Sequence, residues 1–354
     1  MRVLILSPAT PPRGVLRSLA TLGVEPIVAC AGAEIETEEL IQFLRVSTRG
    51  DHDNPMDLRW SRRGLRAVVR ESRPQLMHIV GDPWTPTAEA GAAAARDLKI
   101  PYVLVATSSF GGPKGITAKW QGDRIRADAA ALAGTVRSAL DHLLEGGTGA
   151  KPAAVLPPGG LNIPTRWAPR PPPAPVTFAA VGRLIAERGI DLLLDALGDT
   201  PGEWRLRIVG TGPVHEALEQ RAQALGLSAR IEWLGALPRE QLPSFWTEVD
   251  VVVAPSRSTP EWVEPSGAVV LQAMAHGIAP VVTRCGALSD VVGEAGLIVD
   301  QNDLVALTRA VQAFVAEPAR CRSVGATARQ RVLEQYADSA VAARMVALWR
   351  RALE

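Results

Sequence analysis

The feature that most constrains this chain is a recurrence. Short, unbroken apolar runs each end on Gly, Pro, Ser or another turn residue and give way to a stretch with helical spacing. In the first half they are RVLILS at 2–7, EPIVAC at 25–30, QLMHIVG at 75–81, PYVLVAT at 101–107 and AAVLPPG at 153–159, with weaker runs FLRVS at 43–47 and ALAGTV at 131–136. In the second half they are VTFAAVG at 176–182, WRLRIVG at 204–210, RIEWLG at 230–235, VDVVVAP at 249–255, IAPVVT at 278–283 and AGLIVD at 295–300. A strand with one wet face alternates, whereas these runs are, for the most part, continuous. Such strands belong to parallel sheets covered by helices on both faces.

Two successive series imply two Rossmann-like, doubly wound α/β domains. The length of 354 residues agrees, because one core of that size is unusual and two domains of about 150–200 residues each are ordinary. The Pro-rich stretch PTRWAPRPPPAP at 164–175 can be neither helix nor central strand. It predicts a stiff connector between a domain at 1–163 and a second at 176–337. The last helix, 338–354, closes the second domain or crosses back to the first.

Composition excludes several classes. Apolar residues are 47% and charged residues 21% of the chain, which is a globular balance. A net charge of +1 gives no electrostatic case for nucleic acid. Cys30, Cys285 and Cys321 stand far apart, without metal-ligand spacing, which fits a reducing compartment and no metal site. No apolar run approaches the ~20 residues that span a bilayer. The run after Met1 is too short for a secretory leader. The expectation is a cytoplasmic protein.

In open α/β sheets ligands bind beyond the carboxyl ends of the strands. The loops there carry three features in the second half. Gly182-Arg183-Leu184-Ile185-Ala186-Glu187-Arg188-Gly189 sets two cations beside a glycine, the neutralisation a diphosphate needs in the absence of a metal. Two surface arginines, one paired with Glu187, are the plainer reading. Gly210 and Gly212 form a GxG that lacks the third glycine of a dinucleotide fingerprint and serves equally as a tight turn. In EPSGAVVLQAMAHG, Glu264 precedes a helix predicted from about Ser266 to His276, with Gly277 as its stop. The amides of Gly267, Ala268 and Val269 at that helix start suit a phosphate. Glu264 is either a partner for the helix dipole or an acceptor for sugar hydroxyls.

The order VGRL-x-x-ERGID, then VGTGP, then EPSGAVVLQAMAHGIAPVV resembles retaining glycosyltransferases of family 4, which have the GT-B fold, two such domains facing a deep cleft. The resemblance is strong over about 176–300 and weaker but collinear over 1–163. It implies that Glu264 contacts donor-sugar hydroxyls and that Arg183 and Arg188 grip the diphosphate. It implies that Ser266, Gly267, Ala268 and Val269 meet the distal phosphate, with Gly210 and Gly212 also on the donor side. Lys is commoner than Arg at position 188, and the two differ in reach and geometry. The family's paired acids, Glu-x7-Glu, are Glu264-x7-Gln272 here. Gln272 can keep one hydrogen bond to a ribose hydroxyl but loses its charge assistance, about 1–2 kcal/mol.

The first half is less readable. The loop Ser7-Pro-Ala-Thr-Pro-Pro-Arg-Gly14 keeps Gly14 where the family has a Gly-rich turn, and offers Arg13 as a phosphate partner or a plain surface charge. His78 matches the first residue of a family His-x-His, with Val80 at the second position; within an apolar strand it reads as a core histidine. Asp82 and Trp84 follow at the strand end as acceptor- or sugar-side residues, with a turn and a packing tryptophan as the alternative. Ser108 lies in TSSFGGPKG at 107–115, a loop expected on the acceptor side. Arg59, Arg62, Arg63, Arg66, Arg70 and Arg73 recur at helical spacing. They make a solvated face or a peripheral contact with anionic lipid.

The implied activity is metal-independent transfer of a sugar from a nucleotide diphosphate sugar to an acceptor hydroxyl, with retained configuration and no cofactor. UDP-sugars stand slightly ahead of GDP-sugars. The acceptor is a small molecule, a lipid-linked species or a glycan, and the protein a monomer or homodimer. A GT-B nucleotide-sugar epimerase and a non-catalytic nucleotide-sugar binder are the alternatives.

Overall fold

A computed structural model describes residues 1–31, 40–51, 54, 56–108, 112, 115–145, 147, 149–168 and 170–354. The chain divides into two units, Met1–Gly160 with Tyr336–Glu354, and Leu161–Gln335.

The first unit runs β1 (Arg2–Leu6), α1 (Arg13–Thr21), β2 (Glu25–Ala31), β3 (Gln42–Val46), β4 (Thr48–Arg49), β5 (Arg59–Trp60), α2 (Arg62–Ser72), β6 (Leu76–Val80), α3 (Pro86–Leu98), β7 (Tyr102–Ala106), α4 (Ile116–Asp128), β8 (Ala131–Gly134), α5 (Arg137–Leu144) and β9 (Ala153–Val155). Seven strands form one sheet in the order β3-β2-β1-β6-β7-β8-β9, and every pairing is parallel. The inner strands β1, β2, β6, β7 and β8 are buried along nearly all their length because both faces are covered. Leu4, Leu6, Ile27, Met77, Ile79 and Leu104 pack into one cluster with Leu65 and Val69 of α2. Their neighbours Val3, Ile5, Val28, Leu76, Val103 and Val105 pack into another, with Leu16 of α1.

The second unit runs β10 (Val176–Val181), α6 (Ile190–Gly198), β11 (Trp204–Val209), α7 (His215–Ala224), β12 (Ile231–Trp233), α8 (Leu242–Trp246), β13 (Val251–Ala254), α9 (Ala268–Ala275), β14 (Ala279–Thr283), α10 (Leu288–Val292), β15 (Leu297–Val299), α11 (Leu304–Ala316) and α12 (Ala319–Gln335). Its six parallel strands lie in the order β12-β11-β10-β13-β14-β15. Strand order reverses between β10 and β13. That switch point leaves a crevice at the carboxyl ends of two neighbouring strands.

The last helix, α13 (Asp338–Leu353), returns to the first unit. It packs along α1 and buries Val341, Met345, Val346, Leu348 and Trp349 in the same cluster as Val3 and Ile5. The Pro-rich stretch, expected as a stiff connector, is fastened along its length. Residues 164–175 belong to the second unit, where side chains fasten them. Trp167 Nε1 donates to the His276 carbonyl at 3.0 Å, and Arg329 Nη2 donates to the Pro164 carbonyl at 2.6 Å. Proline removes backbone donors, so this stretch is held through its carbonyls and through interspersed Trp and Arg side chains.

Candidate functional site

The loops after β10 and β13 meet at the switch point of the second unit. After β10 the chain makes a short 3₁₀ turn, Ala186–Arg188, which ends on Gly189 in the left-handed region at φ 66°. Any Cβ at Gly189 would run into the Pro255 carbonyl, so glycine is what lets this turn lie against the β13 loop. Arg257 then ties the two together. Its amide donates to the Glu187 carbonyl at 2.8 Å, and its guanidinium pairs with Asp191.

Across this junction Arg188 pairs with Glu264. Glu264 is only 4% exposed. Its Oε2 takes Arg188 Nη1, and its Oε1 accepts the Gly267 amide at 3.3 Å. Glu187, the alternative partner, offers its backbone carbonyl to Arg257, and no ion pair engages its side chain among the described residues. A buried carboxylate needs such partners, because leaving it alone and charged costs several kcal/mol. Arg183 is exposed, and no ion pair engages it among the described residues.

Helix α9 starts at Ala268, two residues later than expected, after Gly267 at φ 60°. The reason is local hydrogen bonding. Glu264 accepts from Gly267, and Ser266 Oγ accepts from the Ala268 amide at 3.4 Å. Two of the three amides assigned to a phosphate are therefore taken by the chain itself in this structure. Arg188, Glu264, Ser266, Gly267, Ala268 and Val269 line a cavity of about 150 Å³ whose floor is Val252, Val253 and Leu288. Gln272 is half-buried and lies one turn along α9 from Ala268, on the same side. The C-terminal end of α9 stops as expected at Gly277, where a Cβ would strike the Trp167 indole at 2.5 Å.

Gly210 and Gly212 have a structural reason to be glycines. A Cβ at Gly210 would overlap the Gly182 carbonyl, and one at Gly212 the Leu184 carbonyl. The two loops are cross-linked there, with the Gly182 amide donating to Val209 at 2.9 Å and the Leu184 amide to Thr211 at 2.9 Å.

In the first unit the expected residues separate. Asp82 is 3% exposed, and its oxygens accept from the amides and hydroxyls of Thr107 and Ser108 at 2.7–3.2 Å. Asp82 and Ser108 therefore staple the β6 loop to the β7 loop, and Asp82 also lines the cavity beside it. Residues 109–111, 113 and 114 of the TSSFGGPKG loop lie outside the described residues. Trp84 meets His142 edge to face at 5.9 Å and walls a cavity of about 890 Å³ together with Lys119, Asp123 and Arg126. Arg13 lies over the Phe43 ring at 4.7 Å. At Gly14 the family's phosphate turn reads differently. The Asp338 carboxylate of α13 fills the place a Cβ would take, and its Oδ1 accepts the Gly160 amide at 2.7 Å. His78 is a core residue as expected. Its Nδ1 accepts from Trp349 Nε1 at 3.1 Å, and burial pushes its pKa down to about 4.

Helix α2 buries Leu65, Val68 and Val69, and its arginines point outward. Arg62 pairs with Glu89 at 2.7 Å and Arg66 with Asp97. Among the described residues no helix is long and apolar enough to cross a membrane.

By fold the chain is of the GT-B type, with two parallel-sheet α/β units. Residues 164–331 match the family described as Glycosyl transferases group 1, and residues 8–159 match the Glycosyl transferase 4-like domain. A sucrose-phosphate synthase from Thermosynechococcus elongatus superposes with a TM-score of 0.68 at 20% identity, covering 99% of this chain and 98% of that one. Anabaena Alr3699/HepE in complex with UDP superposes with a TM-score of 0.69 at 14% identity, covering 99% of each. In sequence, a GDP-mannose-dependent alpha-(1-6)-phosphatidylinositol monomannoside mannosyltransferase of Mycolicibacterium smegmatis is 32% identical over 163 residues, 44% of this chain and 43% of that protein. A 2-deoxystreptamine N-acetyl-D-glucosaminyltransferase of Streptomyces fradiae is 34% identical over 169 residues, 46% of this chain and 39% of that protein. The matched part thus spans less than half the length of these curated relatives.

Proposed function

We propose that this protein transfers a sugar from a nucleotide diphosphate sugar to an acceptor hydroxyl, with retention and without a metal. The observation that carries the reading is the meeting of Glu264 and Arg188 at the switch point of the second unit, beside the start of α9. In that reading Arg183, Arg188 and the α9 N-terminus face the leaving diphosphate, where charge develops as the glycosidic bond breaks. Glu264 accepts hydrogen bonds from the donor sugar, and Gln272 meets the ribose. Gly210 and Gly212 border the same crevice. The leaving phosphate oxygen takes the acceptor proton on the face from which it departs, so no protein nucleophile is required. Two guanidiniums do the neutralising that a metal does elsewhere.

Relatives support the donor class and leave the base open, since one is named for GDP-mannose and a solved neighbour holds UDP. The acceptor side is assigned to the first unit, where Trp84 presents an aromatic face to the larger cavity. Contact with anionic lipid through Arg59–Arg73 is electrostatic in this reading, because the apolar side of α2 is buried in the core. A donor panel tests the function. Stabilisation by one nucleotide sugar, nucleotide release that persists in EDTA, and an α-linked product from an α-donor are expected. Binding without turnover on any acceptor leaves a non-catalytic binder. Exchange of the sugar C2 hydrogen without an acceptor identifies an epimerase.

A further inference from the structure

The sequence assigns Arg188 to phosphate and Glu264 to sugar hydroxyls, yet the two side chains hold each other. A third side chain decides where Arg188 sits. The guanidinium of Arg188 lies over the Trp262 ring, 5.3 Å from its centroid. Trp262 is half-buried and is itself fixed by a two-way backbone pairing, with the Thr259 amide donating to the Trp262 carbonyl at 2.8 Å and the Trp262 amide returning at 3.3 Å. The loop that carries Trp262 is fastened to the turn that carries Arg188 through Arg257, Glu187 and Asp191.

We propose that Trp262 is a positioning residue of the donor site, holding Arg188 over its indole so that Glu264 stays aimed. The proposal rests on the donor reading given above. An aromatic face attracts a guanidinium, whose N–H donors all lie in one plane. Nη1 already points in that plane to Glu264. Nε is buried and meets no acceptor among the described residues, so the same plane still offers a donor. The Arg188 side chain is about a quarter exposed, so its outer N–H groups can meet an incoming phosphate oxygen while Nη1 continues to hold Glu264. Without the indole the long Arg188 side chain is free to leave, and Glu264 keeps only the Gly267 amide as partner. The diphosphate would still find both cations. The sugar would lose its oriented acceptor.

The test compares Trp262→Leu, Trp262→Gln and Trp262→Phe with the parent protein, using the best donor and its free nucleoside diphosphate. Turnover is expected to fall roughly tenfold in the Leu and Gln variants and to return to near the parent value in the Phe variant, which keeps an aromatic face. The dissociation constant of the free diphosphate is expected to change by less than about threefold in all of them. Turnover unchanged in the Leu variant overturns the proposal. So does a Phe variant as poor as Leu, or diphosphate binding that weakens in step with turnover, since either marks a packing role only. If the parent binds no nucleoside diphosphate the donor reading fails and this proposal falls with it. If the parent binds and turns over while Trp262 proves dispensable, this proposal alone fails.

Discussion

At Gln272 the chain gives up a charge that a Glu would supply. The residue is half-buried on the side of α9 that begins at Ala268. A carboxylate there would accept from a ribose hydroxyl with charge assistance, about 1–2 kcal/mol more than an amide oxygen. Gln272→Glu should therefore tighten binding of the nucleoside diphosphate by roughly tenfold, measured by calorimetry. Weaker binding would remove Gln272 from the ribose. Gly210 is the complementary case, a residue whose constraint is internal. Its φ of 137° and the Gly182 carbonyl beside it leave no room for a Cβ. Gly210→Ala should cost about 2 kcal/mol or more of stability in denaturant melts, with or without nucleotide. An unchanged midpoint would mean that the two loops are not cross-linked as described. The first local motif the eye picks out, a GxG after a strand, is thus explained by backbone packing before any ligand is considered.

At the scale of elements, the strands were legible in the sequence, including the weak runs at 43–47 and 131–136. The cause is physical: a strand covered on both faces must be apolar at every position, and that signal is local. The exception is the short β4–β5 hairpin, Thr48–Arg49 with Arg59–Trp60, which has too few residues to form a pattern. The site was legible in its chemistry and hidden in its pairings. Glu264, Arg188 and the α9 start all come from loops at one switch point. Nothing in the sequence showed that Arg188 and Glu264, far apart in the chain, pair with each other, or that Trp262 lies under the arginine. Nor could it show that Asp82 bonds Thr107 and Ser108. Gly14 illustrates the same limit, since the carboxylate that fills its missing Cβ arrives from α13. Gly14→Ala should destabilise the protein by about 1–3 kcal/mol, and by clearly less in an Asp338→Ala background. Additive effects in that double-mutant cycle would contradict the contact.

At the scale of the molecule, α13 makes the first unit discontinuous, and a core depends on it. Val341, Met345, Val346, Leu348 and Trp349 are buried among Val3, Ile5 and Val103. Ending the chain after Gln335 should abolish cooperative folding of the first unit, visible as lost near-ultraviolet dichroism and gained dye binding. A fully folded, soluble truncation would refute that dependence. His78 adds a pH signature to the same interface. Its folded pKa of about 4 lies below the ordinary histidine value of 6.5. The folded state then binds fewer protons than the unfolded state between those values. Its contribution is constant above pH 6.5, and stability falls by about 1.4 kcal/mol per pH unit as pH drops toward 4. His78→Gln, which keeps an acceptor for Trp349, should flatten that part of the curve relative to the parent. An identical pH dependence would mean that His78 is not buried neutral. The central claim, however, is a donor site at the switch point of the second unit with Glu264 as its sugar contact. The most direct measurement is calorimetric titration of the parent protein and Glu264→Ala with the stabilising nucleoside diphosphate, alongside turnover of the corresponding nucleotide sugar. The account predicts that the variant binds the diphosphate within a few-fold of the parent and loses transfer by at least about a hundredfold. Full transfer activity in Glu264→Ala would contradict it.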